Sequence, residues 1–438
     1  MGNPSIDAPP GPCPGWSIQL PNLSGDPDTN PPMPGNYSIP RAGSNPFQPP
    51  RGQALKRRAW STIDPLVPED KRFLDDLKIA YCKLNALPPD DHRRLLEQAW
   101  THNFYCATGS IHMSWAFLPF HRAYVYFHEQ IVGLFMPNPA AFRLPYWDWE
   151  VKSIIPEFFL KLGLPTFLTG TAQRSATGTL DPWASEEILQ KWLFSMTFDE
   201  FAGIRADPGR SAAGPHDCGH VKVGGAMRIP QTAAADPLFY AHHANIDRFW
   251  DYWQTHYPFA TPPLWFNQGP FYFYDATGNV VSITPDQLTK PSLLAYCYDP
   301  PKTTIPKFHP IDFLLSSLGT TSPDAPLRAK GEWIPAQIRL AVPTENLTTG
   351  IQYEIRLGRE TETSVRIGSF FCFHSADHLK MMSELPVASL GRINAEQYEI
   401  LRIGKHSLDA YIGMLDSGKL AKLPAEGVAI RALFPPRG

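Results

Sequence analysis

Residues 100–135 read WTHNFYCATGSIHMSWAFLPFHRAYVYFHEQIVGLF, and this stretch decides how the rest of the chain is interpreted. It contains three histidines, His102, His112 and His121, and one cysteine, Cys106, set among aromatic residues. Imidazoles in apolar surroundings suit a transition metal, and an all-nitrogen donor set favours copper over calcium or magnesium. The stretch therefore predicts a copper site in an apolar core.

A second group of histidines lies far downstream and has the same character. His216 and His220 follow Pro215, which suits the first position of a helix, and their spacing of four residues puts both imidazoles on one face. The His242–His243 pair offers a third donor, and on a helix His243 shares a face with Asp247. Two clusters of three histidines predict two adjacent copper ions.

Helical patterns precede and surround the first cluster. Residues 69–84 place apolar side chains at helical spacing, and the run from Pro88 to Asp91 is a strong start signal for the next helix. That helix is expected to carry His102 and Cys106 on its last turns, four residues apart and on the same side.

Two further helices are expected to complete the site. A loop of residues 107–119 holds His112, and Pro119 starts an aromatic helix, which is typical of a protein core. Asp236 and Pro237 repeat the start signal, and the helix that follows should reach about Thr255. The fold class predicted is a mainly α catalytic domain, a four-helix bundle around two coppers, with a small C-terminal β-rich domain.

Composition shifts divide the chain into four parts. Residues 1–54 form a proline-rich arm, with fourteen prolines in the first fifty positions, and residues 55–300 form the catalytic domain. Residues 301–330 are a linker rich in Pro, Ser and Thr. Residues 331–438 alternate apolar and polar side chains, which indicates strands with one buried face.

The overall charge and hydropathy exclude several classes of function. A net charge of −3 without a long basic or acidic run argues against nucleic acid and against electrostatic membrane attachment. No apolar run is long enough to cross a bilayer, and the N-terminal sequence has no signal-peptide or myristoylation pattern. The protein is expected to be soluble, and cytoplasmic, or lumenal or secreted if the chain is already processed. The sequence allows a homo-oligomer.

The six cysteines show no CxxC motif and no regular framework. Cysteine-only zinc or iron–sulfur sites are therefore not expected, and most of these residues are expected to be small buried side chains. Cys106 is the exception because it lies between two of the histidines.

The motifs together resemble the type-3 copper proteins, specifically tyrosinases and plant-type polyphenol oxidases (catechol oxidases). The resemblance covers roughly residues 55–300. It is carried by HxxxC (His102, Cys106), IHMSWAFLPFHR (111–122), PHDCGH (215–220), DPLFYAHHANIDRFW (236–250), Arg57–Arg58, LPYWDW (144–149) and the tyrosine motif Tyr296-Cys297-Tyr298.

The resemblance assigns a role to each histidine of the two clusters. It implies that three histidines bind the first copper and three the second, namely His102, His112 and His121, and His216, His220 and His243. His242 then becomes a neighbour of the ligands. Cys106 occupies the position where plant enzymes form a thioether to the second ligand, here His112.

This sequence also departs from the family pattern. The loop between Cys106 and His112 is shorter than in plant enzymes, and Asn103 stands where a disulfide cysteine is expected. The glutamate that helps the family hold a water is Ala212 here. Pro230 takes the position of the bulky gate residue, and Val221 and Phe239 are the other candidates to contact substrate.

The resemblance implies oxidation of small phenols by O2, with o-hydroxylation of monophenols and oxidation of o-diphenols to o-quinones. One copper supplies one electron, so two adjacent ions suit the two-electron reduction of O2. Since phenols ionise near pH 10, a proton acceptor helps with monophenols, and Asp217 is placed for it. Asp247 is expected to orient an imidazole, with an ordinary ion pair to an arginine as its alternative.

Other interpretations use the same residues. A catechol oxidase would lack the hydroxylation step, and a haemocyanin-like protein would bind oxygen reversibly and shield it from phenols. A metallohydrolase would be expected to use carboxylate ligands, of which the two clusters have none. In the enzyme interpretation the β-rich domain would cover the site and keep it latent until cleavage within 301–330.

Overall fold

The helices and the later strands occupy different parts of the chain. The computed structural model describes residues 16–17, 37–39, 41, 43–106, 111–112, 116–165, 174, 201, 203–204, 207–208, 215–256, 269–301, 333–340, 351–358, 364–372, 385–394, 409–414, 419–423 and 428–432. Its α-helices are Pro68–Asn85 (α1), Leu95–Cys106 (α2), Phe117–Gly133 (α3), Glu157–Leu162 (α4), Pro215–Val223 (α5) and Leu238–His256 (α6).

Helix α1 begins where the sequence predicts. Pro68 occupies its first turn, and Glu69 and Asp70 lie near the positive end of the helix dipole, while Lys83 lies near the negative end. These features favour the helix independently of its apolar face. The prediction for residues 69–84 is confirmed.

Helix α2 begins later than the Pro88–Asp91 signal suggests. The carboxylate of Asp91 accepts bonds from the backbone N–H of Arg93 at 2.9 Å and from its guanidinium at 2.6 Å. Asp91 therefore stabilises a turn, and α2 starts only at Leu95. The predicted start was wrong by one turn, but His102 and Cys106 do lie on its last two turns.

Helix α3 is a core helix. All of its residues except Gln130 are buried, and it packs against α1 and α6. It starts at Phe117, two residues before Pro119, because proline fits anywhere in the first turn of a helix.

Helices α5 and α6 start as predicted. Pro215 is the first residue of α5. The carboxylate of Asp236 accepts the N–H of Leu238 at 2.8 Å and so caps α6. The two helices pack against each other, which brings the second histidine cluster together.

A buried cluster of charges and phenols ties these helices to the end of the core. Its members are Arg57, Arg122, Glu129, Asp247, Tyr296 and Tyr298. Arg122 donates to Asp247 at 2.5 Å, and Arg57 donates to Glu129 at 2.7 Å. Two arginines face two carboxylates, so the charges balance in a region that water does not reach.

The strands within the core are short, and one pair closes it. They are Trp16–Ser17 (β1), Asn45–Pro46 (β2), Leu55–Lys56 (β3), Leu164–Pro165 (β4), Gly203–Ile204 (β5), Asp207–Pro208 (β6), Phe271–Tyr274 (β7), Val280–Ile283 (β8) and Tyr296–Cys297 (β9). β3 pairs with β9 in parallel, so the start and the end of the predicted catalytic domain lie side by side. β2 pairs in parallel with β8, which forms a hairpin with β7.

The later strands form antiparallel sheets. They are Trp333–Leu340 (β10), Ile351–Gly358 (β11), Val365–Cys372 (β12), Leu385–Asn394 (β13), Asp409–Met414 (β14), Ala421–Lys422 (β15) and Val428–Ala432 (β16). One sheet has the order β13-β10-β16 and the other the order β12-β11-β14-β15. Strand β12 runs close to α5.

The predicted fold class is confirmed in its outline, a mainly helical core and a C-terminal antiparallel β region. That the histidine helices form a regular four-helix bundle stays a prediction. The domain bounds also stay predictions, and nearly all of the predicted linker lies outside the described residues.

Two smaller findings concern the cysteines and the membrane. Cys218 is a buried free thiol, as expected for most of the cysteines, and Cys106 is also buried and free. Cys82 takes part in a disulfide, which the sequence did not predict. No helix in the part of the chain that the structure describes combines the length and apolarity that a membrane crossing requires.

Candidate metal centre

The first triad comes from three separate segments. His102 lies near the end of α2, His121 near the start of α3, and His112 in a turn before α3. All three are buried. Their ligand atoms, together with the sulfur of Cys106, lie within 4.8 Å of one another, and the Nε2 atoms of His102 and His121 are 3.4 Å apart.

The second triad comes from two helices. His216 and His220 share one face of α5, with ring centroids 4.5 Å apart, and His243 approaches from α6. The ligand atoms again lie within 4.8 Å of one another, and the Nε2 atoms of His220 and His243 are 3.2 Å apart. The structure thus brings together the six histidines that the sequence singled out.

Backbone carbonyls orient three of the imidazoles. The Nδ1–H groups donate to carbonyl oxygens as follows: His102 to Pro230 at 3.0 Å, His121 to Phe117 at 2.7 Å and His220 to Met227 at 2.7 Å. A proton on Nδ1 leaves the lone pair on Nε2, which faces the centre of the triad. Each of these rings is therefore held in the tautomer that a metal ligand needs.

The charge state of the imidazoles also suits a metal. Burial lowers the pKa of His102 to about 3, and it lowers the pKa of His121, His216, His220 and His243 well below the usual value. Buried imidazoles are consequently neutral near pH 7, which is the form that binds metal ions.

The spacing within each triad fits one copper ion. Two Nε2 lone pairs at 3.2–3.4 Å repel each other unless a cation lies between them. Nitrogen ligands at about 2.0–2.1 Å from a tetrahedral metal are about 3.3–3.4 Å apart, which agrees with both triads. The donor set has three imidazoles and no carboxylate, as copper prefers over calcium or magnesium.

The two triads face each other across a short gap. The rings of His121 and His243 stack with centroids 4.3 Å apart and an interplanar angle of 11°. The rings of His112 and His216 are 6.0 Å apart. Two ions held by these triads would be neighbours, so the arrangement fits a dinuclear centre.

Comparison with known proteins agrees with this geometry. The common central domain of tyrosinase matches residues 92–185 and again residues 164–256. Residues 92–256 therefore contain a tyrosinase central domain. Both triads fall within it, and they correspond to the dinuclear type-3 copper site of that domain.

Two relatives from different kingdoms illustrate the similarity. The latent polyphenol oxidase of Prunus armeniaca is 32% identical over 282 residues, which cover 52% of this chain and 46% of that protein. A tyrosinase from a Hahella species is 30% identical over 223 residues, 43% of this chain and 47% of that protein. The chain thus spans about half the length of these relatives.

Solved structures agree in fold. A latent aurone synthase (polyphenol oxidase) has a TM-score of 0.63 at 20% identity, covering 90% of this chain and 92% of that one. Polyphenol oxidase from Grenache grapes (Vitis vinifera) has a TM-score of 0.54 at 27% identity, covering 67% of this chain and 99% of that one. The extent of the first match includes the β region.

Two phenylalanines pack against the histidine triads. Phe117 packs within 4.7 Å of His121 and His216, and Phe239 lies 4.0 Å from His243 and 4.9 Å from His102. Both are fully buried. Phe239 packs against both triads, and its predicted contact with substrate stays a prediction. Phe117 was not singled out from the sequence.

His242 holds the two helices of the second triad together. Its Nε2–H donates to the backbone carbonyl of His216 at 2.9 Å, and its ring lies 5.2 Å from that of His220. Burial lowers the pKa of His242 to about 4, so the ring is neutral near pH 7. Its placement beside the ligands agrees with the expectation that His243 is the metal ligand of the pair.

The two aspartates near the site have different surroundings. Asp217 accepts the Nδ1–H of His216 at 2.8 Å, and burial raises the pKa of its carboxyl well above the usual range. Asp247 receives bonds from Arg122, Tyr296 and Tyr298, which occupy both of its oxygens. The geometry therefore supports the arginine ion pair at Asp247, the alternative to orienting an imidazole, and it gives that orienting position to Asp217.

The remaining candidates lie at the edge of the site. Val221 and Pro230 are half-buried, whereas the ligand histidines are fully buried. The carbonyl of Pro230 accepts the bond from His102, so this proline positions a ligand in addition to any role at an entrance. Ala212 lies outside the described residues.

Proposed function

We propose that this protein oxidises small phenols with O2, hydroxylating monophenols at the ortho position and oxidising o-diphenols to o-quinones. The observation that carries the proposal is the pair of buried histidine triads in contact, with His121 and His243 4.3 Å apart. When bound, a copper pair supplies the two electrons that O2 accepts in one step. The names of the apricot and Hahella relatives, a polyphenol oxidase and a tyrosinase, support this class.

The protein contributes orientation and a dry environment. The carbonyl and carboxylate partners of Nδ1 fix His102, His121, His216 and His220 so that their Nε2 atoms converge. Phe117 and Phe239 pack against both triads. Ligands positioned in advance need no reorganisation during the reaction, which lowers its barrier.

Asp217 is proposed to receive the phenolic proton of a monophenol, directly or through water. It is buried at the second triad and already accepts the Nδ1–H of His216. Its carboxyl group would thus serve both the orientation of a ligand and the removal of a proton.

A thioether between Cys106 and His112 is proposed as a further part of the site. The thiol sulfur lies within 4.8 Å of the ligand nitrogens of the first triad. Forming the bond between sulfur and an imidazole carbon breaks one S–H and one C–H bond and releases two protons and two electrons, which O2 would take up to give hydrogen peroxide. The bond would hold His112, which comes from a turn and not from a helix.

The β region is proposed to keep the site latent. Strand β12 runs beside α5, which carries His216 and His220. Cleavage within 301–330 should then raise the turnover of catechol, and unchanged activity after trimming would remove this part of the proposal.

Oxygen uptake by the copper-loaded chain, measured before and after cleavage within 301–330, tests the function, and the results below refer to the cleaved protein. Uptake with both a monophenol and a catechol is the expected result. Uptake with the catechol alone would mark a catechol oxidase without hydroxylase activity. Reversible oxygen binding without turnover of either phenol would overturn the enzyme proposal and favour a haemocyanin-like protein.

A further inference from the structure

A cavity of about 340 Å³ opens on the face of the core formed by α1, α4 and the segment around Trp147. None of the six histidines of the triads lines it. Small-molecule sites typically occupy about 300–1,000 Å³, so the cavity can hold a compact ligand. We propose that it binds a small aromatic carboxylate, meaning one ring that bears one carboxylate group.

The walls of the cavity are suited to an aromatic ring. The indole of Trp60 stacks on Phe158, with centroids 5.4 Å apart and an angle of 27°. The indole N–H of Trp147 donates to the carbonyls of Lys152 and Ile154, each at 3.2 Å, which fixes this second wall. Flat rigid walls of this kind hold a planar ligand at a low entropic cost.

Two of the lysines that line the cavity are already neutralised. Lys71 donates to Asp75 at 2.6 Å, and Lys161 donates to Glu157 at 2.7 Å. The first pair lies within α1 and the second within α4, and each joins residues that are four apart. These four side chains therefore contribute no net charge to the cavity.

The other charged groups leave an excess of positive charge. The third carboxylate of the lining, Asp148, accepts two hydrogen bonds from Ser61, through its N–H and its hydroxyl. Lys78 and Lys152 also line the cavity, and neither has an ion-pair partner among the described residues. Four lysines against three carboxylates leave one positive charge, which one ligand carboxylate would balance.

The mouth of the cavity exposes an apolar side chain. Ile154 lines the cavity, and its side chain is 54% exposed. A bound ring would cover it. The combination of apolar walls and two free ammonium groups selects an amphipathic anion over either a neutral ring or a small inorganic anion.

Photolabelling of the copper-loaded full chain with 4-azidobenzoate locates the site directly. Labels mapped by peptide mass spectrometry are expected in residues 60–78 and 147–162. Labels confined to peptides that carry the histidine triads would overturn the proposal. The phenol-oxidation proposal is unaffected by either result because oxygen uptake is not the measurement.

Matched variants test the chemistry of recognition. Lys78→Met combined with Lys152→Met should lower labelling in these segments about tenfold or more, since a charged hydrogen bond is lost at each site. Lys83→Met, on the same helix but away from the cavity, should leave it unchanged. Ile154→Trp should block labelling by filling the mouth. The proposal would be overturned if neutral 4-azidobenzyl alcohol labelled these segments as strongly as 4-azidobenzoate does. It would also be overturned if 4-azidobenzoate labelled the double variant as strongly as the unsubstituted chain.

Discussion

The imidazole of His242 occupies the space that a side chain on Gly219 would need. A Cβ at position 219 would lie 2.2 Å from Cε1 and 2.5 Å from Nε2 of that ring. The same Nε2 donates to the carbonyl of His216. Because Gly219 has no side chain, His242 of α6 can approach α5 closely enough to bond to the backbone carbonyl of His216.

Gly219→Ala is expected to destabilise the fold by about 1–3 kcal/mol, the usual cost of overpacking, and to lower the copper content because His216 and His220 shift. Chemical denaturation and metal analysis measure the two effects. Gly133→Ala is the control, because there the nearest atom is Cδ1 of Phe142 at 3.3 Å. A Gly219→Ala protein with two coppers and normal stability would contradict the role of His242.

Asp217→Ala is expected to lower monophenol turnover more than diphenol turnover, because only the monophenol needs its proton removed to bind as phenolate. Asp217→Asn keeps an acceptor for the Nδ1–H of His216 and removes the basic group. It should therefore show the same selective loss. Equal losses on both substrates in both variants would assign Asp217 to positioning alone.

Glu129→Gln is expected to destabilise the fold by about 3–5 kcal/mol, because it removes the carboxylate nearest the buried guanidinium of Arg57 and leaves only Asp247, at 3.7 Å, to balance that charge. Both side chains of this pair are fully buried. The comparison is Asp75→Asn, which breaks the exposed pair with Lys71 and should cost less than about 1 kcal/mol. Urea denaturation of both variants measures the difference, and similar small losses would contradict it.

His128 is expected to make the fold sensitive to acid. Its ring stacks on Tyr240 at 3.3 Å and bonds to Gln98 and Tyr81, and burial lowers its pKa well below the usual value. Below the unfolded pKa of about 6.5 the unfolded chain binds a proton that the folded chain does not, so stability falls as the pH falls.

Between pH 7 and pH 5 this single group should lower the free energy of unfolding, by at most about 1.4 kcal/mol per pH unit. His128→Gln lacks the titrating ring, so its free energy of unfolding should fall less over the same interval. Denaturation of both proteins at the two pH values gives the comparison. An identical pH dependence would show that His128 titrates normally in the fold.

The thioether predicts a chain lighter by the mass of two hydrogen atoms after copper loading in air. Intact-mass spectrometry of the denatured protein measures it, and peptide mapping should join Cys106 to His112. Cys106→Ser should show no such loss, while Cys218→Ser, at another buried free thiol, should retain it. If the intact mass is unchanged by copper loading and the protein still oxidises catechol, the crosslink is not formed.

The sequence predicts the helices well where a capping residue or a proline marks the start. Pro215 and Asp236 each mark the start of a helix correctly, because their effect on the first turn is local. Asp91 misleads, because its carboxylate has a nearer partner in Arg93. A helix cap and a turn both use a bond from a nearby backbone N–H to the aspartate carboxylate. The sequence alone therefore does not distinguish them.

The site is predictable as far as its side chains carry the chemistry. The imidazoles are visible in the sequence, but the carbonyls of Phe117, Met227 and Pro230 that orient them are not, because every residue has a carbonyl. Asp247 illustrates the same limit. Its helical face points toward His243, yet Tyr296 and Tyr298, distant in sequence, take its oxygens.

The parallel pairing of Leu55–Lys56 with Tyr296–Cys297 has a practical consequence for protein engineering. The two ends of the predicted catalytic domain, 55–300, are therefore neighbours, and an ion pair of 2.6 Å between Lys56 and Asp299 bridges them. On these predicted bounds, the domain could be inserted into a host loop or circularly permuted through a short connector, since neither operation has to span the molecule.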